Sequence, residues 1–333
     1  MSTKSNDKST KIAIPKLPQM IKGKIYKTGQ TRGADDDVIY QNRVLRNNTV
    51  LIPFSMWKNG LTFPNKGDFE NGFIVLISPE EYFTIIKMGN ELNDYDLIIG
   101  ENALVFYVTR EQWQNYNPDK LGWIPAQKRN SPLEGQYVAR VAATTSINNG
   151  EKINRGFNGT SSKGAGIRVY EYASKETINL CSLQLEALFW HCSDSFEITI
   201  KYGMTEEDAL KRRKFIIDSA EEAGLLDYEL LFNSRMIDKD QDTICPLCLE
   251  KLSSEGFFTR MKQAEGREVH DLTVTELNLF HIDELKINEY NHHPYNLGWG
   301  HHHCNVVVKD MGISETINWM KRIIETNKQW ESS

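Results

Sequence analysis

A chain of 333 residues, 40% hydrophobic and 25% charged, is long enough for two ordinary domains with real cores and has the composition of a soluble globular protein. No stretch approaches the roughly 18 apolar residues of a membrane span, and the polar start MSTKSNDKSTK lacks an apolar signal core, so a cytoplasmic location without a membrane partner is expected. The net charge of −6 argues against a nonspecific nucleic-acid coat but allows a site-specific DNA enzyme, which needs only local basic strips.

Residues 1–20 are polar and lysine-rich and read as a disordered basic arm. From Met1 to Arg32 there are eight Lys or Arg against one acid, Asp7. Such an arm is either a solvated tail or a segment that tracks the DNA backbone. Residues 21–235 read as a β-rich domain with helices near its end. Thr49–Phe54, Gly72–Ser78, Ala103–Thr109, Tyr137–Ala143 and Ile167–Tyr172 are rich in Val, Ile, Tyr and Phe and are bounded by Gly, Asn, Asp or Pro, as short strands are. Ser78-Pro-Glu-Glu and Thr109-Arg-Glu-Gln are helix-start signals. Asn148–Gly166 reads as an open loop carrying Lys152, Arg155 and Lys163, either a hairpin tip or a segment that meets a DNA groove. Residues 176–192 and 205–224 read as helices, the second opening with Thr205-Glu-Glu-Asp and carrying the run Lys211–Lys214.

Chemistry is concentrated in residues 236–333. Seven of the eight histidines and three of the five cysteines lie in this segment. Cys245-Pro-Leu-Cys248 places two thiolates on one tight turn, and His301-x-x-Cys304 supplies a second pair. Together they offer a Cys3His set, a normal ligand set for structural Zn2+, with His302 or His303 as substitutes for His301. An odd number of cysteines in a chain this long is not a disulfide framework. Leu277, Leu279 and His281 alternate with Asn278, Phe280 and Ile282, as in a half-buried strand. Ser314–Trp330 reads as an amphipathic helix, packed on this segment or making a dimer contact.

The order Cys245/Cys248, His281-Ile282, Asn296-Leu297, His301/Cys304 and Asn305 resembles the HNH, or ββα-metal, nuclease family over about 65 residues. The resemblance implies that His281 is a general base and that Asn296 bridges the loop and orients it. It further implies that Asn305, opening a short helix Asn305–Met311, binds a catalytic Mg2+. Chemically, a neutral imidazole can take a proton from attacking water, and an amide oxygen suits a hard cation. One departure stands out: many members carry a metal-binding Asp, Glu or His directly before the base, where this chain has Phe280. Asp283, His302 or His303 could supply the ligand, or the module could be an inactive DNA-binding zinc fold. A second departure is an insert of about thirty residues between Cys248 and His281, carrying Arg260, Lys262, Arg267 and His270. Arginines there could read guanine edges.

The resulting expectation is an α+β protein: a β-rich N-terminal DNA-recognition domain followed by a zinc-stapled HNH nuclease domain. This architecture resembles type II restriction endonucleases of the HNH class, which implies double-stranded DNA as substrate and a homodimer, with Arg155, Lys163, Arg260 and Arg267 as DNA contacts. A homing nuclease or a modification-dependent nuclease fits the same residues.

Overall fold

The computed structural model describes all residues except 1–13, 27–38, 41–44, 62–68, 90, 129–132, 144–151, 158–163, 260–262, 265–266, 269–275, 285–288, 310 and 332–333. Most of the basic arm, together with Lys163, Arg260, Lys262 and His270, therefore lies outside the described residues. The described end of the arm is not a free tail: Leu17 is buried, and helix α1 begins at Gln19 and runs to Ile25. Helices and strands are both well represented, so the protein is of mixed α+β class, and no helix among the described residues is long and apolar enough to cross a membrane.

The chain forms two compact units. One comprises Thr28–Ile178 with Leu285–His292; the other comprises Met1–Lys27, Asn179–Glu284 and His293–Ser333.

The first of these is built on a six-stranded sheet. Its elements in chain order are β1 (Val50–Pro53), α2 (Phe54–Lys58), β2 (Phe73–Ile77), α3 (Pro79–Lys87), β3 (Ala103–Tyr107), α4 (Arg110–Asn115), β4 (Tyr137–Val141), β5 (Ile153–Arg155) and β6 (Ile167–Arg168). The spatial order is β5-β4-β3-β2-β1-β6, with every neighbouring pair parallel except β4 and β5. Parallel neighbours need crossovers, and α2, α3 and α4 supply them in part. Parallel strands are covered on both faces, which is why FIVLI and ALVFY are apolar throughout. Alternate residues divide between two cores: Val50, Ile52, Val75 and Ile77 pack with Phe54 and Trp57, whereas Leu51, Ile74, Leu76, Leu104 and Val138 form the other. The two helix-start signals become capping boxes. The Ser78 hydroxyl accepts from Glu81 N–H at 3.2 Å while Ser78 N–H donates to the Glu81 carboxylate at 3.1 Å, and Thr109 and Gln112 repeat the pattern. The β5 strand comes from the segment read as an open loop.

The second unit centres on α5 (Lys175–Trp190), followed by α6 (Ser195–Lys201), α7 (Glu206–Glu222), α8 (Tyr228–Asn233), two-residue strands β7 (Gln263–Ala264) and β8 (Arg267–Glu268), then β9 (Leu277–His281), β10 (Leu297–His301), α9 (His302–Val308) and α10 (Ile313–Glu331). Almost every residue of α5 from Cys181 onward is buried, and the buried Gln184 and Glu186 side chains both have partners. The Gln184 amide donates to Leu225 O at 2.9 Å and its oxygen accepts from Tyr295 N–H at 2.7 Å. The Glu186 carboxylate, fully buried, takes a two-pronged ion pair from Arg212 at 2.6 and 2.8 Å. A charge is tolerated there because the guanidinium fork matches it in geometry and sign. The Trp299 indole N–H donates to Leu185 O at 2.8 Å, tying β10 to the helix, and the Trp299 ring meets Phe257 edge-on.

Candidate active site and metal centre

The cysteine turn is built by local backbone geometry. Cys245 N–H bonds Glu250 O and Leu249 N–H returns to Cys245 O, both at 2.9 Å, with Leu249 in the left-handed region at φ 65°. The chain then comes back through β10, whose last residue is His301, and enters α9, whose third residue is Cys304. Cys245, Cys248, His301 and Cys304 thereby meet with their ligand atoms all within 4.8 Å of one another. The Cys248 sulfur lies 3.4 Å from His301 Nδ1. Bonds of about 2.3 Å to sulfur and 2.0–2.1 Å to nitrogen at a tetrahedral angle would place those atoms about 3.5 Å apart, so the donor set fits Zn2+ in kind and in spacing. Electrostatics agree. A hydrogen bond from the Cys304 thiol holds Cys245 down to about 3, burial pushes Cys248 up to about 11, and the bond to Cys245 also pushes Cys304 up. The crowded thiols oppose one another's ionisation, whereas a divalent cation at their centre would stabilise all three thiolates. Cys181 and Cys192 are buried elsewhere on α5 and after it, where desolvation drives each thiol up to about 12 and leaves it inert.

His281 ends β9, which pairs antiparallel with β10 in the register Leu297↔His281 through His301↔Leu277. The turn that follows is closed by Asn296. Its side-chain amide donates to Asp283 O at 2.9 Å, its side-chain oxygen accepts from Asp283 N–H at 2.7 Å, and Ile282 N–H bonds Asn296 O at 3.0 Å. Asp283 itself is exposed on this turn. The helix after β10 starts at His302, not at Asn305 as the sequence implied. His302 N–H donates to Glu276 O at 2.8 Å, which lets the helix turn directly off the strand pair. Asn305 therefore sits inside α9, and its side-chain amide donates to Leu279 O at 3.3 Å. His302 Nδ1 lies 2.7 Å from the Asn278 side-chain amide, a contact not foreseen in the sequence although Asn278 stands at an alternate position of β9. The His303 ring stacks on His301, with centroids 5.3 Å apart.

Phe280 is fully buried. It faces Gly300, where a Cβ would come within 2.5 Å of the Phe280 ring. The position before His281 is therefore a core position. Among the described residues, the Cys3His set is the one group of three or more His, Cys, Asp or Glu arranged to hold an ion.

Of the expected DNA contacts, Arg155 is exposed on β5 and lies 3.7 Å from Asp119. Arg267 opens β8, which pairs with β7.

A family model described as the BstXI restriction endonuclease matches residues 23–302. Comparison with curated proteins and with solved structures returns no match. The family match spans most of the chain and takes in both the sheet unit and the cysteine turn, so the chain belongs to the BstXI restriction endonuclease family and is a DNA-hydrolysing enzyme.

Proposed function

We propose that this enzyme is a type II, site-specific endonuclease that cuts double-stranded DNA through an HNH (ββα-metal) site with His281 as general base. The observation that carries the reading is the succession β9, loop, β10, α9. The strand ending in His281 is paired along its whole length with β10, α9 follows without an intervening residue, and Asn305 reaches back to the Leu279 carbonyl of the same strand. Base and amide then belong to one rigid piece, as a positioned catalytic pair requires. His281 takes the proton of the water that attacks the scissile phosphodiester. Asn296 acts as a positioning residue, because its two bonds to the Asp283 backbone keep the end of β9 from fraying.

Asn305 commits its nitrogen to Leu279, which leaves its oxygen as the atom for a cation. Bound there, Mg2+ would neutralise the scissile phosphate and stabilise the leaving 3′ oxygen. A sparse protein ligand set suits Mg2+, which keeps several waters and takes one or two protein oxygens beside a substrate phosphate. Asp283, on the turn after His281, is the carboxylate offered for that role. Zn2+ in the Cys3His set is structural in this reading, because four protein ligands close its shell. A homodimer is the proposed assembly, since two-fold symmetric sites call for two-fold symmetric proteins.

The test is digestion of unmodified and methylated phage DNA with Mg2+. Wild type is expected to give discrete fragments, and His281→Ala to give none while its melting temperature and DNA affinity stay at wild-type values. Equal cutting by His281→Ala would remove that residue as the base.

A further inference from the structure

The sheet unit holds a cleft that the cutting chemistry does not use. On the face of the sheet carrying Tyr107, Tyr137 and Val141, the edge strand β5 and the helix α4 border a cavity of about 580 Å3. The register Ala139↔Arg155 and Val141↔Ile153 places Arg155 and Ile153 on that face. Trp113 of α4 packs edge-on against Tyr107, with centroids 5.7 Å apart, and forms a half-buried wall. Around it stand Arg110, Lys152 and Arg155, with Asp119 as the one acid among the lining residues. This is a concentration of positive charge in a chain whose net charge is −6. The Arg155–Asp119 pair is long, at 3.7 Å, and both side chains are about half exposed. Such a pair is screened by water and adds little to folding, so stability does not account for Arg155.

We propose that this cleft receives the phosphodiester backbone of double-stranded DNA, with Arg110, Lys152 and Arg155 meeting phosphates and Trp113 offering a flat wall to the sugar. The inference deepens the reading of the chain as a DNA-cutting enzyme and rests on it. Guanidinium forks match phosphate oxygens two at a time, and phosphate contacts fix the register of a protein on its duplex. Asp119 competes with a phosphate for Arg155. Arg155 ends β5, which begins directly after Lys152, and β5 is an edge strand among the described residues.

The experiment uses the full chain and a DNA fragment that wild type cuts, with Ca2+ in place of Mg2+, titrated at several salt concentrations between 50 and 200 mM. The double variant Lys152→Gln/Arg155→Gln is expected to bind about 10-fold more weakly at fixed salt, with the slope of log K against log salt reduced by about 2, one for each lost phosphate contact. Asp119→Asn removes the competing carboxylate and is expected to bind a few-fold more tightly, a gain that a misfolded variant cannot give. Wild-type affinity in the double variant would overturn the proposal, as would weaker binding with an unchanged slope, or weaker binding by Asp119→Asn. If wild type neither binds nor cuts any DNA, this proposal falls together with the reading beneath it; if wild type cuts and the variants bind like it, only the cleft assignment falls.

Discussion

Gly300→Ala puts the packing behind the proposed active site to a direct test. The added Cβ would stand 2.5 Å from Phe280 Cδ2, 3.1 Å from Cγ and 3.3 Å from Cβ. Carbon atoms prefer about 3.5–4.0 Å, so the ring would have to retreat by about 1 Å. It has no free space to enter, because Phe280 is fully buried in the core that also holds Leu277, Phe257 and Trp299. Forcing a methyl group into such a core costs about 1–3 kcal/mol. At about 2–4 °C per kcal/mol for a unit of this size, the melting temperature should fall by about 2–12 °C. The consequence is local as well as global, because His281 follows Phe280 and His301 follows Gly300. The assay is thermal denaturation followed by circular dichroism on Gly300→Ala, Phe280→Leu and the double variant. Phe280→Leu alone loses core volume, but in the double variant the smaller side chain makes room for the methyl group. The two effects should therefore fail to add by about 1 kcal/mol or more. A Gly300→Ala melt within about 1 °C of wild type, or strict additivity, would refute the packing argument.

Metal analysis of purified protein should find about one Zn2+ per chain, and Cys245→Ser should lower that content toward zero and melt well below wild type, because metal binding at a closed site contributes folding energy; equal stability with zinc absent from wild type would end the assignment. Asn296→Ala removes both bonds to the Asp283 backbone, at 2.7 and 2.9 Å, and should cost about 1–3 kcal/mol locally. Hydrogen exchange at the Asp283 amide should accelerate and cleavage should fall more than DNA affinity does; unchanged exchange would show that the bridge does not hold the turn. Glu186→Gln leaves the Arg212 guanidinium, 11% exposed, without its counter-charge, and should destabilise by about 3–5 kcal/mol, whereas Glu186→Met/Arg212→Met should cost much less. Equal losses in the single and double variants would contradict that account.

Signals that depend on bond geometry along a few residues were legible in the sequence. Cys245-x-x-Cys248 and His301-x-x-Cys304 each bring two ligands to one side of a turn, and the structure joins the pairs. Ser78 and Thr109 announced their helices for the same reason, since a capping box spans only four residues. Sheet topology was not legible. FIVLI and ALVFY say that a strand is buried, but nothing in them says which neighbour it takes or in which direction. The β5 strand was hidden inside an apparent loop because Asn154 and Arg155 are exposed on a sheet edge and only Ile153 is apolar and half-buried. The start of α9 was misplaced by three residues because His301, His302 and His303 give no cap signal; the first turn is organised instead by the distant Glu276 carbonyl. The cleft of Arg110, Trp113 and Arg155 likewise depends on strand order, which no short motif encodes.

The buried Phe280 changes how the departure from the HNH pattern is understood. A side chain at that position lies against Gly300 and inside the apolar core, whereas His281 beside it remains partly exposed. An Asp placed there would lose the packing of a large ring and carry a carboxylate into the buried apolar core, where an unpaired charge is strongly disfavoured. The phenylalanine is thus integrated into the fold, and Gly300 is its complement: the ring occupies the space that a side chain on β10 would otherwise fill. In the proposed site, protein oxygens for the cation must then come from the turn after β9 and from α9. The turn is tied through Asp283 to Asn296, the residue before β10, and α9 is tied through Asn305 to Leu279 of β9. The strand pair that seats Phe280 in the core is also the frame on which both anchors depend.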